Sequence, residues 1–249
     1  MIASLMMYAR PELAGATERY WALIREALGA RGIAAPERLT NEGDPWAVWQ
    51  APDLVLSQTC GMPYRTRLAG QVALVGTPDF GVPGCPPGYY RSVMVVRADD
   101  PREELSAFRA ARFAYNERGS QSGYAAPYQA AEEAGFWFED RLQTGGHLHS
   151  ARAVAEARAD IAALDAITWR LIQRYEDFAG CLRVLCETAP TPGLPYITAL
   201  EAQREEIAEA VHEAISALSE EDRAALGLQG LVQIPESAYL AIPNPPDGA

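Results

Sequence analysis

Arg112-Phe-Ala-Tyr-Asn116-Glu-Arg-Gly-Ser120-Gln121-Ser122-Gly123 and, further on, Thr144-Gly145-Gly146-His147-Leu-His149-Ser150 decide how this chain is read. Each belongs to a strand–turn–helix unit whose turn is made of small and hydroxyl residues. A helix-compatible run starts at Tyr124 after the first turn. The second leads into Ala151-Arg-Ala-Val-Ala-Glu-Ala-Arg158 and then the strand Asp160-Ile-Ala-Ala-Leu164-Asp165. Small residues at a helix start leave backbone N–H groups pointing outward, and the helix dipole adds partial positive charge there. A phosphate-like group fits such a place without any lysine. Two such turns facing one cleft predict a binding protein for a small oxyanion.

Outward from these units, strands and helices alternate. Ile2 to Tyr8 reads as a short apolar strand, and Pro11 suits the first turn of a helix. Leu13, Tyr20, Leu23, Ile24, Ala27 and Leu28 then recur at helical spacing until Gly29 and Gly32 stop the run. Asp53-Leu-Val-Leu-Ser57 and Gln71-Val-Ala-Leu-Val75 are apolar runs of the kind buried in a parallel sheet. Between them the polar turn Gln58-Thr59-Cys60-Gly61 sits at the carboxyl end of a strand, where ligands gather in open parallel sheets. Gly76 to Gly88, with its prolines, reads as loop, and Tyr89-Tyr90-Arg91-Ser92-Val-Met-Val-Val96 as one long strand crossing between lobes. Thr188 to Pro195 reads as the return connection. Leu200 to Leu218 is an amphipathic helix with Ile207, Val211, Ile215 and Leu218 on one stripe, and Ser219 caps a short helix after it. Only the Pro-rich end, Pro243 to Ala249, has low complexity.

Bulk properties narrow the function. The 249 residues suffice for one large domain or two lobes, and 49% hydrophobic with 22% charged residues is ordinary for a globular chain. A net charge of −12 and no basic run exclude nucleic acid as a partner, since phosphate backbones must be neutralised by clustered cations. A small anion remains compatible, because local dipoles and hydroxyls can hold it. No segment approaches the ~20 apolar residues of a membrane helix. Met1 to Tyr8 lacks a basic n-region and a small-residue cleavage site, so it is not read as a signal peptide. The chain is then either a mature form carrying a start Met or a protein working in the cytoplasm. Cys60, Cys85, Cys181 and Cys186 show neither C-x-x-C nor metal-ligand spacing and are read as mostly buried thiols, the disulfide alternative staying open. No cofactor, no metal and a monomeric state are expected. No G-x-S-x-G elbow, P-loop or G-x-G-x-x-G after a strand is present.

Four stretches carry a resemblance to a known family: Ser57-Gln-Thr-Cys-Gly61, Gly88-Tyr-Tyr-Arg-Ser92-Val-Met-Val-Val96, Asn116 through Gly123, and Gly146-His147 with Ala153-Val-Ala155 and Ala159-Asp160-Ile-Ala-Ala163. Together they resemble the phosphate/phosphite/phosphonate substrate-binding proteins of ABC importers, over roughly Met1 to Pro195. The resemblance implies an α/β, two-lobed type II periplasmic-binding-protein fold, each lobe a mixed sheet flanked by helices, with two chain crossovers. Residues 1–92 with 187–249 would form lobe 1 and residues 93–186 lobe 2. It implies a clamp hinged near 88–97 and 184–195 that closes on a small oxyanion for ABC import, with a permease as partner and a periplasmic location. Carried over, Ser120, Gln121, Ser122 and His147 hold the anion, and Tyr89 or Tyr90 faces the same cleft. Gln121 stands where phosphonate binders usually carry threonine, which keeps the backbone N–H but replaces a hydroxyl with a longer amide.

Each candidate also has a structural reading. Ser120, Ser122 and Gly123 suit a helix cap and turn as well as a ligand. His147 follows two glycines at a helix start, which disfavours imidazolium, whereas a bound dianion favours it. His149 and Ser150 divide between capping and solvent. Asp165 closes a strand at the ligand end but equally caps the helix beginning Ala166-Ile-Thr-Trp. Tyr8 and Thr59, at strand ends of the first lobe, would supply the opposing wall, Tyr8 being as well suited to the core. Strand alternation sets Tyr90 and Ser92 on the face opposite Tyr89 and Arg91, and the Tyr90/Ser92 face is preferred for the site. The expected function is a solute-binding protein for phosphate, phosphite or a phosphonate. The alternatives are a cytosolic enzyme on the same fold, using Asp165, His147 and Cys60, and a cytosolic ligand sensor.

Overall fold

A computed structural model describes residues 1–247. Gly248 and Ala249, the end of the Pro-rich tail and of the expected first lobe, lie outside the described residues. Its strands are β1 (Ile2–Ser4), β2 (Leu54–Gln58), β3 (Ala73–Asp79), β4 (Tyr89–Tyr90), β5 (Ser92–Arg97) and β6 (Phe113–Tyr115). They continue with β7 (Arg141–Gln143), β8 (Ile161–Asp165), β9 (Leu182–Glu187), β10 (Thr191–Pro192), β11 (Tyr196–Thr198) and β12 (Gly230–Val232). The chain divides into two compact units, residues 1–83 with 192–241 and residues 84–191 with the tail from Ile242.

The first unit carries a mixed sheet in the order β1-β2-β11-β3-β12. β1 and β2 are parallel, and β11 runs antiparallel between β2 and β3. β1, β2 and β3 therefore point the same way, with their carboxyl ends along one edge. Helix Ala14–Ala30 buries Tyr20, Ile24, Ala27 and Leu28 along one stripe and packs against helix Arg204–Ala217, which buries Ile207, Val211 and Ile215. Both stripes repeat every three or four residues, the pattern that keeps apolar side chains on one helical face.

The second unit carries the order β7-β6-β8-β5-β9, with β6, β7 and β8 parallel and β5 antiparallel to β8 and β9. Its core shows why the sequence makes strands here. Val93, Val95, Ala162 and Leu164 pack on one face with Ala151, Val154, Trp169 and Ile172. Met94, Val96, Ile161 and Ala163 pack on the other with Phe108, Phe113, Tyr124 and Phe138. A strand buried on both faces needs an unbroken apolar run, and alternate residues feed opposite layers. β4 and β10 form a separate two-stranded pair.

Several expectations are corrected. β1 ends at Ser4 instead of reaching Tyr8, because the Asn41 side chain accepts from Ser4 Oγ (3.1 Å) and from the Leu5 backbone N–H (2.8 Å). The 76–88 loop is shorter than its prolines suggest: β3 continues to Asp79 because β12, distant in sequence, pairs with Thr77, Pro78 and Asp79. The Tyr89–Val96 strand breaks at Arg91, whose guanidinium turns to Gly84 O, Cys85 Sγ and Glu187. After the first turn the chain makes a π-helical turn, Gln121–Ala125, before the α-helix Ala126–Glu133. The second helix begins at His147, as the two glycines before it predict, but ends at Ala155, short of Arg158. All four cysteines are free, but only Cys60 is buried; Cys181 is exposed and the other two are intermediate.

Candidate functional site

Because β6, β7 and β8 are parallel, the segments leaving them emerge on one edge of the second unit's sheet, and β5 starts on that edge with Ser92 opposite Asp165. The two turns are tied together there. Thr144 N–H donates to Tyr115 O (2.8 Å) and Gly145 N–H to Asn116 O (2.9 Å). Ser120 caps the π turn, its Oγ accepting from Gly123 N–H at 3.0 Å, while the Tyr124 and Ala125 N–H groups converge on Ser120 O. Ser92 Oγ donates to Ser122 O at 2.8 Å, and Ser92 N–H donates to Thr188 Oγ1 at 3.0 Å. The peptide that presents Ser122 is thus held from β5 beneath it.

Ser122 Oγ lies 2.9 Å from His147 Nε2, and His147 Nδ1 lies 3.2 Å from Ala163 O. A carbonyl only accepts, so Nδ1 carries the ring hydrogen and Nε2 is the acceptor. Ser122 is therefore the donor to His147. Burial lowers the His147 pKa to about 4, the Ala163 carbonyl opposing that shift, so the imidazole is neutral at pH 7. Close approach is possible because position 123 is glycine. A Cβ there would stand 1.9 Å from Asn116 Oδ1 and 3.2 Å from His147 Cε1.

The structure gathers Ser120, Gln121, Ser122, His147 and Asp165 on this one edge, with Ser120, Gln121, Ser122 and Asp165 buried. Asp165 caps the Ala166–Tyr175 helix, its Oδ1 accepting from Ile167 N–H (2.7 Å) and Thr168 N–H (3.1 Å). Tyr90 is buried in β4. Ser150 is buried with its Oγ 2.7 Å from Thr144 Oγ1, clasping the second turn, whereas His149 is exposed beside Thr144 O. Ser92, Thr188, Asn116 and Gly123 complete the surroundings. Alternation pointed to Ser92, but nothing local marks Thr188, which belongs to the return segment.

Tyr8 and Thr59 belong to the first unit, at the corresponding edge of its own sheet. Tyr8, just past β1, packs edge-on against Phe80, just past β3, with ring centroids 5.1 Å apart. Thr59 follows β2, fully buried, its N–H donating to Pro195 O at 3.1 Å. The first unit also has a cavity of about 830 Å³ at the opposite end of β3, lined in part by Glu201, Glu205, Glu206 and Glu236. Its carboxylates make it a poor place for an anion. Among the described residues no His, Cys, Asp and Glu cluster could hold a metal, and no helix is long and apolar enough to cross a membrane.

Mixed sheets flanked by helices, with β11 returning between β2 and β3, match the periplasmic-binding-protein-like fold. The family described as the periplasmic substrate-binding protein of phosphonate ABC transporters matches residues 20–239, and the chain belongs to it. It is similar to PhnD1 from Prochlorococcus marinus in complex with methylphosphonate, at 14% identity and TM-score 0.71, covering 96% of this chain and 93% of that one. A binding protein component of an ABC phosphonate transporter from Pseudomonas aeruginosa gives 16% identity and TM-score 0.70, covering 96% and 82%. A Xanthomonas citri protein bound to ATP gives 16% and 0.68, covering 95% and 91%. No curated protein matches the sequence. The family and its phosphonate-transporter neighbours are substrate-binding proteins, not enzymes, so the chain has a solute-binding role. Membership implies a small-molecule ligand and a permease partner.

Proposed function

We propose that the chain captures a small phosphorus oxyanion (phosphate, phosphite or a phosphonate) at the carboxyl edge of β6, β7 and β8, and hands it to an ABC permease. Ser120, Gln121, Ser122 and His147 bind it, with Asp165 on the same edge and Tyr90 a further candidate. The observation that supports this most directly is the Ser122–His147 pair, set at 2.9 Å by two turns that are themselves hydrogen-bonded together. Fixed hydroxyls and an imidazole suit an oxyanion, whose oxygens accept hydrogen bonds that strengthen when charge is involved. Gln121 adds a longer polar arm than a hydroxyl residue would, which favours a ligand differing in size from a simple phosphonate.

A thermal-melt screen with phosphate, phosphite, several phosphonates, sulfate and aromatic carboxylates tests the reading. A ligand at about 1,000 times its Kd stabilises the folded state by roughly 4 kcal/mol. For a chain of this size that raises Tm by roughly 8–16 °C. The expected result is a shift of that order with a phosphorus oxyanion. Silence there, with a shift from a carboxylate, overturns the ligand class. Ser122→Ala with His147→Ala should cost about 3–6 kcal/mol of binding without unfolding the protein, two charge-assisted hydrogen bonds being lost. Unchanged affinity would remove these two residues from the site.

A further inference from the structure

Ser122 and His147 have two polar hydrogens between them, and the free protein uses both. The Nδ1 hydrogen goes to Ala163 O, and the Ser122 hydroxyl hydrogen goes to Nε2. The pair thus shows an incoming oxygen only lone pairs. An oxyanion set against Ser122 must draw the hydroxyl hydrogen to itself, which leaves Nε2 facing oxygen with no hydrogen between them. A new hydrogen can reach Nε2 from a P–OH of the ligand, or from solvent, giving an imidazolium beside a dianion. Both routes end with the same number of protons in the complex.

We infer that this site binds its phosphorus oxyanion together with one proton, accepting the hydrogen-bearing monoanion as it is and taking up a proton when offered the dianion. The inference rests on the binding site proposed above and adds the protonation state it selects. Titratable and charged groups on the elements around the ring are either engaged elsewhere or compete for that proton. Asp165, at the end of β8, accepts from the Ile167 and Thr168 N–H groups through Oδ1, and its carboxylate is a competing proton acceptor. Arg152, on the same helix as His147, pairs with Glu176, and His149 is exposed beside Thr144 O. Tyr124, in the π turn, accepts from Arg141. Glu117, after β6, has a carboxyl pushed up by burial and also competes for the proton, so the test must separate both carboxylates from His147.

Calorimetry of the whole protein with methylphosphonate, in buffers of different ionisation enthalpy, counts the protons taken up. Well above the ligand's second pKa, uptake close to one proton per ligand is expected, with affinity falling about tenfold per pH unit. Well below it, the monoanion brings its own hydrogen and uptake should vanish. The monomethyl ester of methylphosphonate has one charge and no P–OH, so it should draw a proton from solution in that same range. His147→Gln places an amide where Nε2 stood and should abolish the proton uptake that accompanies the dianion, while weaker binding persists. Methylphosphonate binding without proton uptake above its second pKa overturns this inference and leaves the proposed function standing. Uptake undiminished in His147→Gln would move the proton elsewhere and overturn it too. Failure of methylphosphonate, phosphite and phosphate alike to bind would remove the site itself.

Discussion

His147 is neutral because desolvation outweighs the Ala163 carbonyl, and that has a consequence for the unliganded protein. Its folded pKa of about 4 lies below the ordinary histidine value of 6.5. Between those two values the unfolded chain binds a proton that the folded one does not, so stability falls as pH drops through that window and the loss is complete near pH 4. His147 is half-buried, not fully enclosed, which reduces the size of the effect. Urea melts across that range should show wild type losing stability as pH falls, and His147→Gln showing a flatter dependence. Equal slopes would mean that His147 is not the group responsible. At position 123, any side chain would displace the Asn116 amide and press on the His147 ring, so glycine here serves the site's geometry, not a left-handed turn.

At the scale of elements, capping can be tested without touching the site. Ser219 Oγ accepts from Asp222 N–H at 3.0 Å, and the helix Glu220–Leu226 ends in Gly227 at φ 69°. Ser219→Ala should cost about 1 kcal/mol, a fall in Tm of roughly 2–4 °C, with ligand affinity unchanged. This helix was legible because its serine cap and acidic first turn are adjacent in sequence. So were the stripes of the 14–30 and 204–217 helices and the apolar run of β8. What was not legible depended on distant partners: β12 extends β3 through Pro78, Asn41 ends β1, and the Arg91 side chain breaks the 89–96 run. The candidate site divides the same way. Ser120, Ser122 and His147 announce themselves through glycine and serine at helix starts. Their mutual contact, and the supports from Ser92 and Thr188, exist only once β5, β6 and β8 lie side by side.

Across the whole molecule, the net charge of −12 opposes any anionic ligand at long range, although local dipoles and hydroxyls favour it at the site. All 21 basic residues are arginine, and several are spent on ion pairs such as Arg19–Asp222 and Arg102–Asp100. Association with a phosphorus oxyanion should therefore speed up as salt is raised from low ionic strength, because screening shortens the repulsion to about 8 Å at physiological salt. Stopped-flow rates that fall with salt would show a locally positive approach instead. The placement of β11 between β2 and β3 bears on how the chain comes to be folded at all. Tyr196 pairs with Gln58 on one side and Gly76 on the other, so the first unit's sheet stays split until the ribosome has released residues that follow all five strands of the second unit's sheet. The five strands of the second unit's sheet are contiguous in sequence and can pair as they emerge. Synthesis therefore favours one order of assembly, with the sheet begun first finished last, after a long loop has been closed at an entropic cost that grows only slowly with its length.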